Sequence, residues 1–296
     1  MQNTVVCIGE LLWDVYPNDK KVGGSSTNVS LHLAKQGINC LLVSAVGDDA
    51  DGITLINYLT VKNLSTHLIQ IKKNLPTSTV IIKLNDDQNA TYTIAEPVAW
   101  DEITLTDGAL TSVENADALV FCSLTCREEK SRETVCALAD KARLAIFDMN
   151  LREPFYCFDT IKLLLKKSHV LKINENELLY LKQNFALKNQ IDEECLPEIA
   201  EKFALKAICL TLGGNGAMVW HNHKFYRHNG FKIKVADTVG AGDAFLATFI
   251  AGFLAEKEML EALENACLLG AFVASQPGAN PNYNEEILHE FKRNSF

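Results

Sequence analysis

The chain has 296 residues, 48% hydrophobic and 22% charged, with a formal charge of −9 from 28 Lys and Arg against 37 Asp and Glu. This composition is that of a globular protein, not a disordered one, and the length suits one large α/β domain or two units of roughly 150 residues. The acidity argues against a partner that is nucleic acid or an anionic membrane, since such binding rests on Lys and Arg; a small anion held by backbone N–H groups stays open.

Residues 4–9 (TVVCIG) read as a buried strand, too short and too poor in flanking basic residues for a signal sequence. Residues 27–36 read as a helix, capped by Ser25 or Ser26 and ended at Gly37. A second strand spans 40–46 and a helix 51–62. Strand-like runs at 79–84 and 91–94 flank a polar turn from Asn85 to Asn89, with no helix between them. They predict a β-hairpin, which is either a lid or an ordinary edge hairpin. Four more short apolar strands follow at 118–122, 145–149, 170–173 and 207–212. Helical patterns near 128–141, 158–167, 175–183 and 191–203 separate or follow them. Such alternation predicts a largely parallel sheet covered on both faces, with ligands beyond the carboxyl ends of its strands. The most apolar later stretch, 244–255, falls short of the ~20 residues that a membrane helix needs. The nine cysteines include no C-x-x-C pair. They read as reduced, mostly core residues of a soluble, cytoplasmic protein.

The strongest local signal is DTVGAGDAF at 237–245. Glycines admit close backbone approach, and the first turn of the following helix offers free N–H groups to an anion. Ala241, Gly242 and Asp243 therefore predict an anion hole. Asp243 beside a phosphate has a natural task as acceptor of a hydroxyl proton; the plainer reading is a carboxylate that complements the helix dipole. Gly23 and Gly24 with Ser25, Ser26 and Asn28 suit a hydroxyl-rich ligand, and Asp14 can accept from its hydroxyls; a simple helix start and a solvated carboxylate are the competing explanations. Asn174 and Glu177, three apart, share a face of a first helical turn. They can orient waters around Mg²⁺, or form a capping box. Residues 211–217 (TLGGNGA) run past nucleotide phosphates or turn into a hairpin. Arg152 follows a strand end, where it can meet a phosphate or a carboxylate. His221 and His223 stand too isolated for a metal site. There is no P-loop, no complete G-x-G-x-x-G and no H-E-x-x-H, which disfavours a dinucleotide-dependent oxidoreductase.

Together and in this order, these segments resemble the PfkB-type (ribokinase-like) carbohydrate kinases, from Val5 to about Tyr283. DTVGAGD at 237–243 is similar to the family's C-terminal signature. Gly23, Gly24 and Asn28 with VGDDADG at 46–52 are similar to its N-terminal one, Asn174 to Glu177 to its N-x-x-E motif, and 211–217 to its nucleotide loop. GELLWDVYP at 9–17, His32-Leu33 and FDMNLR at 147–152 are closest to bacterial fructokinases. The resemblance implies a single ribokinase-like, doubly wound α/β domain over 1–296: a mostly parallel sheet with helices on both faces. A small β lid would be inserted at about 12–22 and 66–98.

It further implies an ATP-dependent sugar kinase that converts D-fructose to fructose 6-phosphate. A 2-keto-3-deoxygluconate, ribose or nucleoside kinase, or a non-catalytic sugar-sensing relative, is the alternative; a sensor needs no base, which disfavours it. Asp243 would be the base and Gly240, Ala241 and Gly242 the anion hole. Asp14, Gly23, Gly24, Asn28 and Arg152 would bind sugar. Asn174, Thr211, Gly213 and Gly216 would bind ATP, Glu177 and Asn174 would hold Mg²⁺ through water, and Asp237 with the loop near Gly278 would hold a monovalent cation such as K⁺. The partners are then small molecules, and relatives also dimerise through the lid. Two departures stand out. Asn265 lies about two positions out of register with the family's nucleotide-side Asn, leaving Cys267 in its place. Ser25-Ser26 replaces the Ala-Pro common in fructokinases.

Overall fold

A computed structural model describes residues 2–17, 19–84, 90–189 and 191–295. The chain opens with β1 (Thr4–Ile8), the hairpin β2 (Leu12–Tyr16) and β3 (Asp19–Gly23), α1 (Ser25–Lys35), β4 (Asn39–Gly47), α2 (Ala50–Val61) and β5 (Ile69–Lys72). A second antiparallel pair follows, β6 (Ser78–Leu84) and β7 (Ala90–Ile94). The polar turn from Asn85 to Asn89 lies outside the described residues. Next come α3 (Asp107–Asn115), β8 (Ala118–Cys122), α4 (Glu129–Ala139), β9 (Ala145–Asp148), α5 (Phe158–Lys166), β10 (Val170–Asn174), α6 (Glu175–Phe185), α7 (Asp192–Phe203) and β11 (Ala207–Thr211). The hairpin β12 (Ala217–His221) and β13 (Lys224–His228) precedes α8 (Ala241–Leu254), α9 (Met259–Ala274) and α10 (Glu285–Asn294).

Among the described residues, nine strands form one sheet in the order β13-β12-β11-β10-β9-β8-β1-β4-β5, parallel except at β12 and β13. Val5, Val6, Cys7 and Ile8 are all fully buried, because helices cover both faces of the sheet. Such a strand must read as a continuous apolar run, as β1 does. Sequence order runs outward from β1 in both directions, through β4 to β5 and through β8 to β11. The crevice of an open α/β sheet opens at such a reversal, beyond the carboxyl ends of the strands. One face of the sheet packs on α3 to α7, around Trp100, Phe121 and Phe147. The other packs on α1, α2, α8 and α9, around Leu33, Leu42 and Phe249. α8 is apolar almost all round because α1 and α9 flank it against the sheet. Fully burying Phe249 or Ile250 there contributes roughly 1.5–3 kcal/mol each.

Two expectations change. The excursion from the large sheet is narrower than 66–98, since β5 pairs in parallel with β4 (Ser44 opposite Ile69) and extends the large sheet. A second sheet consists of β3-β2-β6-β7, so its strands fall within 12–23 and 78–94. Neither Ser25 nor Ser26 caps α1. Gly24 occupies the cap, without a side-chain bond, and both serines lie inside the helix. Their hydroxyls are drawn elsewhere, Ser26 to the Ile8 carbonyl at 2.9 Å and Ser25 to Asp243. The glycine-rich run after β11 is a hairpin turn, as one of its two readings had it. No helix of the described residues is long and apolar enough to cross a membrane.

Candidate active site

A cavity of about 360 Å³ opens at the carboxyl ends of the strands. Its walls include Glu10, Leu12 and Asp14, the start of α1 (Gly24, Ser25, Asn28), the strand ends at Asn174 and Thr211, and Gly240, Gly242 and Asp243. Val80 and Ile94 of the small sheet close one side.

Asp243 sits in the first turn of α8. Its Oδ1 accepts from the Ser25 hydroxyl at 2.7 Å and its Oδ2 from Asn28 Nδ2 at 2.8 Å. The carboxylate accepts only, so the Asn28 amide must turn its nitrogen toward it. The Asn28 oxygen then accepts from Asn280 Nδ2 at 2.7 Å. Each Asp243 oxygen keeps a further lone pair. The N–H groups of Gly242 and Asp243 meet no acceptor among the described residues, whereas the Ala241 N–H donates to the Thr238 carbonyl at 3.3 Å. The anion hole expected from three N–H groups thus narrows to two, and Ala241 does not line the cavity. Gly240 adopts φ +76°, a left-handed value that favours glycine, with Ala279 packed where a side chain would stand.

The sequence reading missed Lys172. It lies in the apolar strand β10, buried at 7% exposure, and its ammonium bonds Asp148 at 2.9 and 3.2 Å across the β9–β10 pairing. A Cβ on Gly242 would lie 3.2 Å from that ammonium, so a fixed cation stands beside Gly242 in the cavity wall. Burial works against the Lys172 charge, but Asp148, Glu177 and Asp243 outweigh it and hold the group cationic. A lone Lys in an apolar strand is the signal that could have found it, because a buried charge requires a partner.

Burial, then the charges of Asp243 and Asp237, push the Asp14 carboxyl up to about 7, against the pull of Arg152. Arg152 itself is exposed at the cavity rim. Gly23 does not line the cavity; a side chain there would collide with the Asp14 carboxylate, so the glycine makes room for it. Gly24 lines it at φ +100°, against the Glu10 carbonyl. Glu10, also missed as a site residue, is fully buried and accepts from Cys122 Sγ and Thr125 Oγ1, both at 2.9 Å.

Asn174 and Glu177 form the capping box. Asn174 Oδ1 accepts from the Glu177 N–H at 2.9 Å, and Glu177 Oε2 accepts from the Asn174 N–H at 2.8 Å. Glu177 Oε1 accepts from the Leu151 N–H at 3.0 Å. Both side chains nevertheless line the cavity with lone pairs to spare. Among the described residues no group of three or more His, Cys, Asp or Glu could cage a metal ion. That donor set fits a hydrated Mg²⁺ carried on nucleotide phosphates. Thr211 lines the cavity, but Gly213 and Gly216 do not; they form the β11–β12 turn, Gly216 against residues 228–230. Asp237 lies outside the cavity wall and ties two loops, accepting from the Val239 and Gly278 N–H groups, each at 3.0 Å. Cys267 is buried, its thiol pushed up to about 12 by burial and Glu264. Asn265 lines a separate groove between α1, α8, α9 and α10.

A sequence model of the pfkB family carbohydrate kinases matches residues 2–286. An uncharacterized sugar kinase of Pyrococcus horikoshii is 29% identical over 95% of this chain and 89% of its own. Its crystal structure superposes with a TM-score of 0.82 over 99% of both chains. The fructokinase of Salmonella typhimurium is 26% identical over 86% of each chain. The ATP-bound fructokinase of Xylella fastidiosa, 18% identical, shares the fold, with a TM-score of 0.88 over 99% of both chains.

Proposed function

Since the chain belongs to the pfkB family of carbohydrate kinases, and so is a sugar kinase with an alcohol group as acceptor, we propose that it phosphorylates D-fructose on O6 at the expense of ATP. The observation that carries the reading is the Asp243 carboxylate, held at both oxygens and set beside two unengaged N–H groups and the Lys172 cation. In the reaction the sugar oxygen forms a bond to the γ-phosphorus, the bond from that phosphorus to the bridging oxygen breaks, and ADP leaves. Asp243 takes the hydroxyl proton. Ser25 and Asn28 aim its carboxylate, while the Gly242 and Asp243 N–H groups and Lys172 meet charge on the transferring group. Asp14, Gly24 and Asn28 hold the sugar, with Arg152 at the rim. Asn174 and Thr211 face the nucleotide, and Gly213 and Gly216 border its outer part. Asn174 and Glu177 would hold Mg²⁺ through its waters, and the ion supplies neutralisation of phosphate charge when bound. A monovalent cation would sit beside Asp237. The small sheet acts as the lid that keeps water from the cavity. Its outer face, where Ile81 is 44% exposed, would seat a second copy, and the enzyme would work in the cytoplasm.

Support for fructose comes from the GELLWDVYP segment and from the Salmonella fructokinase. Support for ATP comes from the Pyrococcus relative, 26% identical here, which has been solved with ATP. A coupled ADP-release assay across fructose, ribose, 2-keto-3-deoxygluconate and adenosine tests the substrate. Fructose should give the highest kcat/KM; a lower rank than any of the other three overturns the fructose assignment.

Asp14 makes sugar binding pH-dependent. Its carboxyl, raised to about 7, is ionised above that pH and protonated below it. Only the ionised form offers every lone pair to sugar hydroxyls, so affinity is full above pH 7 and falls as the pH drops through 7. The KM for sugar should rise several-fold between pH 8 and 6, and Asp14→Asn should give a high KM that is flat over this range. A flat wild-type profile would remove Asp14 from the sugar site.

A further inference from the structure

We propose that His32 is a positioning residue for phosphoryl transfer: through the loop 278–283 it fixes the Asn280–Asn28 pair that aims Asp243. This rests on the reading of Asp243 as the base. His32 lies one helical turn beyond Asn28 on α1 and is fully buried. Its Nε2 is 2.9 Å from the Ala279 carbonyl, which can only accept, so Nε2 carries the hydrogen. In the neutral ring Nδ1 then accepts, and the Tyr283 hydroxyl 3.0 Å away donates to it. The two rings stack, with centroids 5.7 Å apart and planes 18° from parallel. Burial pushes the imidazole down to about 4, so the ring is neutral at neutral pH and the Ala279 carbonyl sets its tautomer.

The residue that His32 grips is the one that matters to the site. Ala279 packs directly on Gly240, at the start of the anion-hole turn. Its neighbour Asn280 donates to Asn28, which in turn donates to Asp243. Asn280 Oδ1 is buried and has no hydrogen-bond partner, so the amide is not held from its other end. Its aim therefore depends on where the backbone is pinned, and His32 pins the adjacent carbonyl. Flanking tethers hold the loop at Gly278, through Asp237, and at Asn280 and Pro281, whose carbonyls accept from the exposed Lys35 ammonium at 3.5 and 2.8 Å. They lie to either side of the peptide between Ala279 and Asn280, whose carbonyl His32 holds by a buried bond.

The test measures kcat, both KM values and thermal midpoints for His32→Leu, His32→Gln, Asn280→Ala and the His32→Leu/Asn280→Ala double variant, with Asp243→Asn in parallel. His32→Leu should lose about tenfold or more in kcat, since small misplacements of catalytic groups are costly, with the KM for ATP within about twofold. His32→Gln, whose amide can still donate to the Ala279 carbonyl, should recover most of that loss. The double variant should be about as slow as the slower single, because both changes act on one chain of contacts. A kcat for His32→Leu within about twofold of wild type, multiplicative losses in the double variant, or kcat and both KM values worsening in step with a lowered midpoint would each overturn the proposal. If His32→Leu does not fold, Tyr283→Phe replaces it, alone and with Asn280→Ala, under the same criteria. Near-normal turnover by Asp243→Asn would instead overturn the base assignment, independently of His32.

Discussion

Asp243→Asn should lower kcat by about 10²–10⁴-fold, the range expected for loss of a general base. The substitution is nearly isosteric. The new amide oxygen can accept from Asn28 and the new nitrogen can donate to the Ser25 hydroxyl, so the bonds at 2.8 and 2.7 Å have counterparts in the variant. What is lost is the ability to take a proton. Sugar and ATP affinities, read by calorimetry, should stay within a few-fold of wild type. A second consequence follows from charge. Asp243 is one of the groups that raise Asp14, and removing a like charge lets a carboxyl return toward its ordinary value. The pH at which sugar affinity falls should therefore move to more acidic values in the variant. Turnover near the wild-type rate would sink the assignment of the base.

Lys172→Met should cost both stability and rate, and the two losses can be separated. With its side chain 8% exposed and that of Asp148 3% exposed, the pair is out of water. Removing the cation leaves a buried carboxylate unpaired, a change that destabilises by about 3–5 kcal/mol. The thermal midpoint should fall on the order of 10 °C. Burial already raises Asp148 to about 7, so without Lys172 the carboxyl should take up a proton at physiological pH, which moderates the loss but leaves the buried group without its partner. Adding Asp148→Leu removes the orphaned group and should restore most of the midpoint. It should not restore kcat, because the cation beside Gly242 is still missing. Recovery of turnover to within a few-fold in the double variant would reduce Lys172 to a structural role.

The fold was legible wherever the signal is local. Short apolar strands alternating with helical periods predicted the parallel sheet, and β8 to β11 fall within a residue of their expected bounds. The edge was read less well. β5 has the polar alternation of an outer strand, and nothing in its residues says whether it joins β4 or the small sheet. The serines before α1 resemble a cap, but a hydroxyl goes to the best acceptor in space, and Ile8 and Asp243 compete with the helix end.

The site divides along the same line. Gly240, Gly242 and Asp243 lie within four residues, and Asn174 and Glu177 are one helical turn apart. Their mutual geometry is set by the first turn of a helix, so the amino-acid sequence determined it. The bonds from Ser25 and Asn28 to Asp243 span 218 and 215 residues, and Lys172 meets Gly242 only because β10 ends beneath the start of α8. Periodicity and spacing carry no record of which strand ends converge. Strand order fixes that, and strand order is decided when the two faces of the sheet bury their helices together.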